Sequence, residues 1–179
     1  LFIGNPSDQK VRIYKIENLP MAEMSAPLDV TPDQTIASID DNQIEFFGSS
    51  LSATDEFLFI GVENGVTVVD DVSLTAGFVD VYKVHDGTWS FWQRLTPNLD
   101  DIDDDISQYG GAVADFRFGS SVFTYGDYLL VGAPRHYKTS KDRREGSVHV
   151  YGYSTSTTQW SLSYTLEHDD TLVGSTNES

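Results

Sequence analysis

Asp101, Asp103 and Asp105 stand at alternate positions in the run Asn98-Leu99-Asp100-Asp101-Ile102-Asp103-Asp104-Asp105. That spacing reproduces the first three ligand positions of a calcium loop, where side-chain oxygens converge on a hard cation. The rest of such a loop does not follow, since Ile106 stands where a glycine makes the turn and Ala112 where a bidentate carboxylate closes the shell. The aspartates at 100, 101, 103, 104 and 105 therefore have three readings: a solvated acidic loop, a weak divalent-cation site, or a surface that pairs with a cationic partner. The opposite charge gathers in Arg135-His136-Tyr137-Lys138-Thr139-Ser140-Lys141-Asp142-Arg143-Arg144, which holds Arg135, Lys138, Lys141, Arg143 and Arg144, five of the chain's 11 basic residues. Such a cluster either neutralises acidic neighbours or forms a charged recognition rim.

Signatures of catalysis are missing. The sequence has no Gly-x-Ser-x-Gly elbow, His-Glu-x-x-His pair, phosphate-binding P-loop or dinucleotide fingerprint. His85, His136, His149 and His168 show no metal-ligand spacing. With no cysteine, disulfides, thiolate metal sites and cysteine nucleophiles are ruled out. We read the chain as non-enzymatic and as needing no cofactor. The 28 acidic against 11 basic residues give a net charge of −17, which repels phosphate backbones and anionic headgroups and argues against nucleic acid and membrane surfaces as partners. Even so, 39% hydrophobic and 12% aromatic residues are enough to build a core. No apolar run reaches the ~18 residues of a membrane span. Asn177-Glu178-Ser179 is the one usable N-glycosylation sequon, because Pro6 blocks Asn5-Pro6-Ser7.

The elements that must position these groups repeat. Phe47-Gly48-Ser49-Ser50-Leu51, Phe57-Leu58-Phe59-Ile60-Gly61, Gly77-Phe78-Val79-Asp80-Val81-Tyr82 and Trp89-Ser90-Phe91 recur as Phe118-Gly119-Ser120-Ser121-Val122, Tyr128-Leu129-Leu130-Val131-Gly132-Ala133-Pro134, Gly146-Ser147-Val148-His149-Val150-Tyr151 and Trp160-Ser161-Leu162. Gly48 to Gly119 and Trp89 to Trp160 are both 71 positions. Leu1-Phe2-Ile3-Gly4 and Lys10-Val11-Arg12-Ile13-Tyr14 form a truncated third copy, and the chain is expected to be a piece of something longer. The segments are short, rich in β-branched and aromatic residues and bounded by Gly, Asp, Asn or Ser, which predicts strands. Alternation puts Val79 with Val81, and Val148 with Val150, on one face. Each unit reads as a four-stranded antiparallel meander, and stacked units of this kind make a β-propeller.

The order Phe118-Gly119, a turn, Gly132-Ala133-Pro134, a loop, Gly146-Ser147-Val148-His149-Val150-Tyr151 and Trp160 resembles the FG-GAP repeat of integrin alpha-subunit propellers and their microbial relatives. Phe47-Gly48 with Gly61-Val62-Glu63 is a diverged copy, and Gly4-Asn5-Pro6 retains the glycine and proline. The resemblance implies an all-β propeller segment, at the cell surface or secreted, that works in recognition. The family often carries a calcium loop between the FG and GAP strands. Here those connections are Phe123-Thr124-Tyr125-Gly126-Asp127 and Ser52-Ala53-Thr54-Asp55-Glu56, too poor in oxygen ligands for that metal.

The expected organisation is a partial blade and connection over 1–43, a blade over 44–97, an acidic connection over 98–114, a second blade over 115–167 and the start of a following blade, or a tail, over 168–179. Residues that repeat, such as Phe47 with Phe118 and Tyr82 with Tyr151, are assigned to packing. Arg12, Asp80 and His149 share one repeat position yet differ, so that site reads as free to diverge. Specific activity is assigned to the unequal loops 62–76, 98–115 and 135–145, predicted on one rim, for a protein partner or further propeller blades. The alternative is a glycan-binding or accessory domain of a secreted hydrolase, with Trp92 as the aromatic candidate.

Overall fold

The computed structural model describes residues 1–15, 31–39, 46–69, 72–97, 116–138, 143–144 and 146–167. Among them there is no α-helix, and the ordered elements are strands plus one 3-10 turn at Pro6–Asp8. A three-stranded antiparallel sheet comes first, built from β1 (Phe2–Asn5), β2 (Lys10–Ile13) and β3 (Gln34–Ala37) in that order. The next sheet contains β4 (Ser50–Ala53), β5 (Phe57–Val62), β8 (Phe78–His85) and β9 (Thr88–Leu95), paired in sequence. The last contains β10 (Ser121–Tyr125), β11 (Tyr128–Ala133), β14 (Ser147–Ser154) and β15 (Gln159–Glu167), paired in the same way. These three sheets are propeller-type blades: one partial and two of four antiparallel strands.

The repeat is exact in register where the sequence repeats. Gly4 lies opposite Val11, Gly61 opposite Val79 and Gly132 opposite Val148. Both full blades bulge at the same place, after Val81 and after Val150.

The loops expected over 62–76 and 135–145 contain hairpins. Strands β6 (Val66–Val69) and β7 (Val72–Thr75) pair with each other between β5 and β8, and β12 (Tyr137–Lys138) pairs with β13 (Arg143–Arg144) between β11 and β14. The first was legible: Val66-Thr67-Val68-Val69 and Val72-Ser73-Leu74-Thr75 are two β-rich runs about Asp70-Asp71, the pattern of a hairpin. Each full blade is thus a meander with one small two-stranded hairpin set into its middle connection.

Stacking makes the core. Val11, Ile13, Ile36, Phe47, Leu58, Ile60, Val62, Phe78 and Tyr82 bury the seam between the first two blades. Phe57, Phe59, Val79, Val81, Leu95, Phe118, Leu129, Val131, Tyr151 and Trp160 bury the next. Alternation along β5 explains how one strand serves both, since successive side chains leave opposite faces of the sheet. Every residue of β5 is therefore buried. In the third blade the alternation shows instead, with Ser147, His149 and Tyr151 buried toward the second blade while Val148 and Val150 are only half-buried on the other face.

Candidate functional site

The rim is built where chain connections meet. Phe118 donates its N–H to the Ala76 carbonyl at 3.0 Å, and Arg135 N–H donates to the Phe116 carbonyl at 3.2 Å. A parallel bridge joins Gly77 to Phe118. The segment leading into the third blade therefore runs between the bases of the two inserted hairpins, which places both hairpins on one rim. Arg135 is exposed there, while Lys138 and Arg143 occupy directly paired positions of β12 and β13, with Arg144 opposite Tyr137. Lys141 and the acidic run from Asp100 to Asp105, with the candidate calcium positions Asp101, Asp103 and Asp105, lie outside the described residues, as does Asn177. Among the described residues no cluster of three or more His, Asp or Glu forms a metal-binding group.

Trp92, assigned from sequence to the binding rim, lies in the middle of β9 on the outer strand of its blade. It is 42% exposed, but its Nε1 donates to the Thr158 carbonyl at 3.1 Å and Lys83 Nζ sits 5.1 Å from its ring centre. Glu56 lies 3.6 Å from the same ammonium. Trp92 is thus a strut from the second blade to the β14–β15 turn of the third, and its unlike equivalent Ser163 carries no such reach.

The seams explain the repeated glycines. Gly48 and Gly119 both have φ +85, a conformation costly for any residue with a Cβ. Each lies against the glycine of the preceding blade: a Cβ added at Gly4 would overlap the Gly48 carbonyl oxygen, and one at Gly61 would overlap that of Gly119. Ser50 Oγ donates to the Gly119 carbonyl at 2.7 Å. The FG glycine of one blade is therefore seated on the GAP-position glycine of the blade before it.

A second fastening runs along the outer strands. Gln34 Nε2 donates to the Trp89 carbonyl at 2.7 Å while Trp89 N–H donates to Gln34 Oε1 at 2.9 Å. Gln93 repeats the clamp on Trp160, with both bonds at 2.9 Å. The unequal separations, 55 and 67 residues, hid this pair in the sequence. Gln93→Leu removes two hydrogen bonds of a half-buried clamp and is expected to cost about 2 kcal/mol. Urea unfolding measures it, and a loss below a few tenths would show that the clamp contributes nothing.

Arg12, Asp80 and His149, read from sequence as one freely varying position, are each tied to a different local partner. Arg12 pairs with Asp8 at 3.1 Å. Asp80 is fully buried and receives Arg94 Nε and Nη2 at 2.7 and 3.0 Å, with the guanidinium 3.7 Å from the Phe78 ring centre. His149 is also fully buried, with Nε2 at 2.9 Å from Ser147 Oγ and Nδ1 at 3.4 Å from Thr165 Oγ1. Its ring meets Phe118 at 5.2 Å and His136 at 5.5 Å, so two histidines from separate elements come together at the seam. Burial, then the neighbouring His136, lowers the His149 pKa to about 4, against the pull of Glu167 in the other direction. The Ser147 and His149 pair has the distance of a nucleophile and its base, but an imidazole with so low a pKa is a poor general base near neutrality.

The far face of the third blade carries Phe123, Tyr125, Tyr128, Tyr164 and Leu166, with Tyr125 as much as 75% exposed. By the repeat, Tyr128, Val148, Val150 and Leu166 correspond to Phe57, Val79, Val81 and Leu95, which the third blade covers on the second.

No helix among the described residues is long and apolar enough to cross a membrane. No curated protein matches the chain. Residues 103–151 match the family model described as an FG-GAP repeat, a span that holds Phe118-Gly119, Gly132-Ala133-Pro134 and strands β10 to β13. With that match in the third blade, and its seating glycines echoed in the two blades before it, the chain carries an FG-GAP repeat in a stack of β-propeller blades.

Proposed function

We propose that the protein is a cell-surface or secreted interaction module that binds a protein partner through the rim of inserted hairpins. The observation that carries this reading is the contrast between sheets and hairpins. The four-stranded sheets repeat in register and glycine seating, whereas β6–β7 and β12–β13 share a rim, stand outside the sheets and differ in charge and sequence. Binding residues sit on such projections from a rigid scaffold because the scaffold tolerates their variation. The basic rim of Arg135, Lys138, Lys141, Arg143 and Arg144 fits an acidic partner surface, and the aspartates at 100–105 fit a cationic one. The reading involves no catalytic step and needs no cofactor.

The test is binding of the labelled chain to cell-surface proteins, compared with the triple variant Lys138→Glu, Arg143→Glu, Arg144→Glu. Charge reversal is expected to weaken binding by about 10-fold or more at low salt while leaving thermal unfolding unchanged. Equal binding by the two proteins would sink the rim reading. Glycan-array hits that vanish in Trp92→Ala would replace it with the sugar-binding alternative.

A further inference from the structure

Two histidines from separate elements meet at the root of the β12–β13 hairpin. His136 and His149 are both buried, and their ring centres lie 5.5 Å apart with the rings near perpendicular. The two are held differently. His149 stands in the middle of β14, opposite Val131 on one side and Thr165 on the other, with its ring nitrogens on the Ser147 and Thr165 hydroxyls. His136 stands outside the four-stranded sheet, one residue before β12, with its ring 5.1 Å from that of Phe116. Its backbone closes the hairpin root. The His136 N–H donates to the Ala133 carbonyl at 3.0 Å, and the His136 carbonyl accepts from Gly146 N–H at 3.3 Å. The adjoining Arg135 N–H reaches the Phe116 carbonyl at 3.2 Å. The described pairing of β12 with β13 adds two positions, Tyr137 with Arg144 and Lys138 with Arg143. So short a unit, held by a few hydrogen bonds, can open while the sheets beneath it stay folded.

The surroundings decide what a proton does here. From the second blade the seam is lined by Phe57, Phe59, Val79, Val81 and Leu95, none of which titrates. Glu167, at the end of β15, favours a proton on His149. Arg117 and Arg135 adjoin Phe116 and His136 in the two segments bonded at the root. Tyr151, two residues along β14, is held protonated by its burial. Lys83, with Glu56, enters this seam at Tyr153, a further two residues along. Charging both imidazoles would set two positive charges side by side in an apolar seam, where repulsion and lost hydration act together. The conflict is relieved most readily at His136. Moving it breaks the bonds of a hairpin root, whereas moving His149 takes β14 out of the sheet.

We propose that the His136–His149 pair is an acid-operated latch on the basic rim: proton uptake expels the His136 ring from the seam, opens the root of the β12–β13 hairpin and displaces Lys138, Arg143 and Arg144, while the four-stranded sheets stay paired. As regulation of binding it rests on the rim reading above, whereas the opening itself does not.

Amide exchange followed by NMR in the full chain at pH 7.5 and pH 5.0, corrected for the intrinsic effect of pH, reads the opening without a partner. The N–H groups of Arg135, His136 and Gly146 make the root bonds. They are expected to lose about 10-fold or more of their protection at pH 5.0, and to lose it equally with and without about 1 M urea, because a local opening exposes little surface. The Leu129 and Val131 amides of β11 should stay better protected and respond to the urea. His136→Phe keeps an aromatic ring beside Phe116 and removes the titration, so its root amides should change by less than about 2-fold between the two pH values. The urea comparison needs only the parent chain and so decides the matter even where the variant does not fold. Root amides that keep their protection at pH 5.0 would overturn the latch. So would a loss that follows the β11 amides and their urea dependence, or one that persists in His136→Phe. A latch that opens while capture of cell-surface proteins is equal at both pH values supports the device and counts against the rim reading.

Discussion

Phe118→Ala is expected to lower stability by about 3–5 kcal/mol, the cost of emptying a buried aromatic site that neighbours cannot refill. Phe118 is fully buried in the seam between the second and third blades, with its ring 5.2 Å from His149 and 6.3 Å from Tyr151. Its backbone also fixes the seat, through the bond to Ala76 and the bridge to Gly77, so the side chain anchors a segment held on both sides. For a chain of this size the urea midpoint should fall by about 2 M. Phe123→Ala, five residues later on the same strand path, is the internal comparison. That ring is 61% exposed, and its loss should cost within about 0.5 kcal/mol. Similar losses for the two variants would mean that the seam is not where the fold is held.

The second large effect is acid destabilisation through His149. Its folded pKa, near 4, lies below the unfolded value of about 6.5, so the unfolded chain binds the proton more readily between those limits. The stability from keeping this imidazole neutral is complete above about pH 6.5 and is lost progressively toward pH 4, to a total of about 3 kcal/mol. His136 at 5.5 Å strengthens the effect by opposing a second positive charge in the seam, while Glu167 partly offsets it. His149→Gln leaves the many carboxylates in place and removes only this titration. Urea unfolding at pH 7.5 and pH 4.5 should therefore show the parent losing about 2 kcal/mol more than the variant across that interval. Equal losses in the two proteins would place the acid sensitivity elsewhere.

Much of the architecture was legible because it is written in local periodicity. Gly61 and Gly132 end comparable apolar runs, and Gly48 and Gly119 follow phenylalanines, so the repeat exposes strands and turns without any knowledge of contacts. The hairpin at 66–75 was equally local, as two β-rich runs about Asp70-Asp71, and the reading as loop passed over that alternation. What stayed hidden depends on separations that the repeat does not preserve. Gln34 and Gln93 clamp tryptophans 55 and 67 residues away, and nothing in either neighbourhood marks them. Nor does spacing reveal that His136 and His149 meet, because their contact is set by the path of the β12–β13 insertion.

The sequence alone determined that this chain forms stacked four-stranded β units with FG and GAP glycines, since strand period, turn residues and a 71-residue repeat are properties of neighbouring residues. Only the tertiary structure decided what those glycines and the variable strand position do. Gly119 is needed against Gly61 because two backbones approach too closely for a Cβ, and the buried Asp80 and His149 are tied to different partners at one repeat position. Those are consequences of how one blade faces the next, a relation between surfaces far apart in sequence. The acidity divides in the same way: the net −17 is a property of composition, while the hydrogen bonds at the bases of the two hairpins set both on one rim and so give the basic cluster its place.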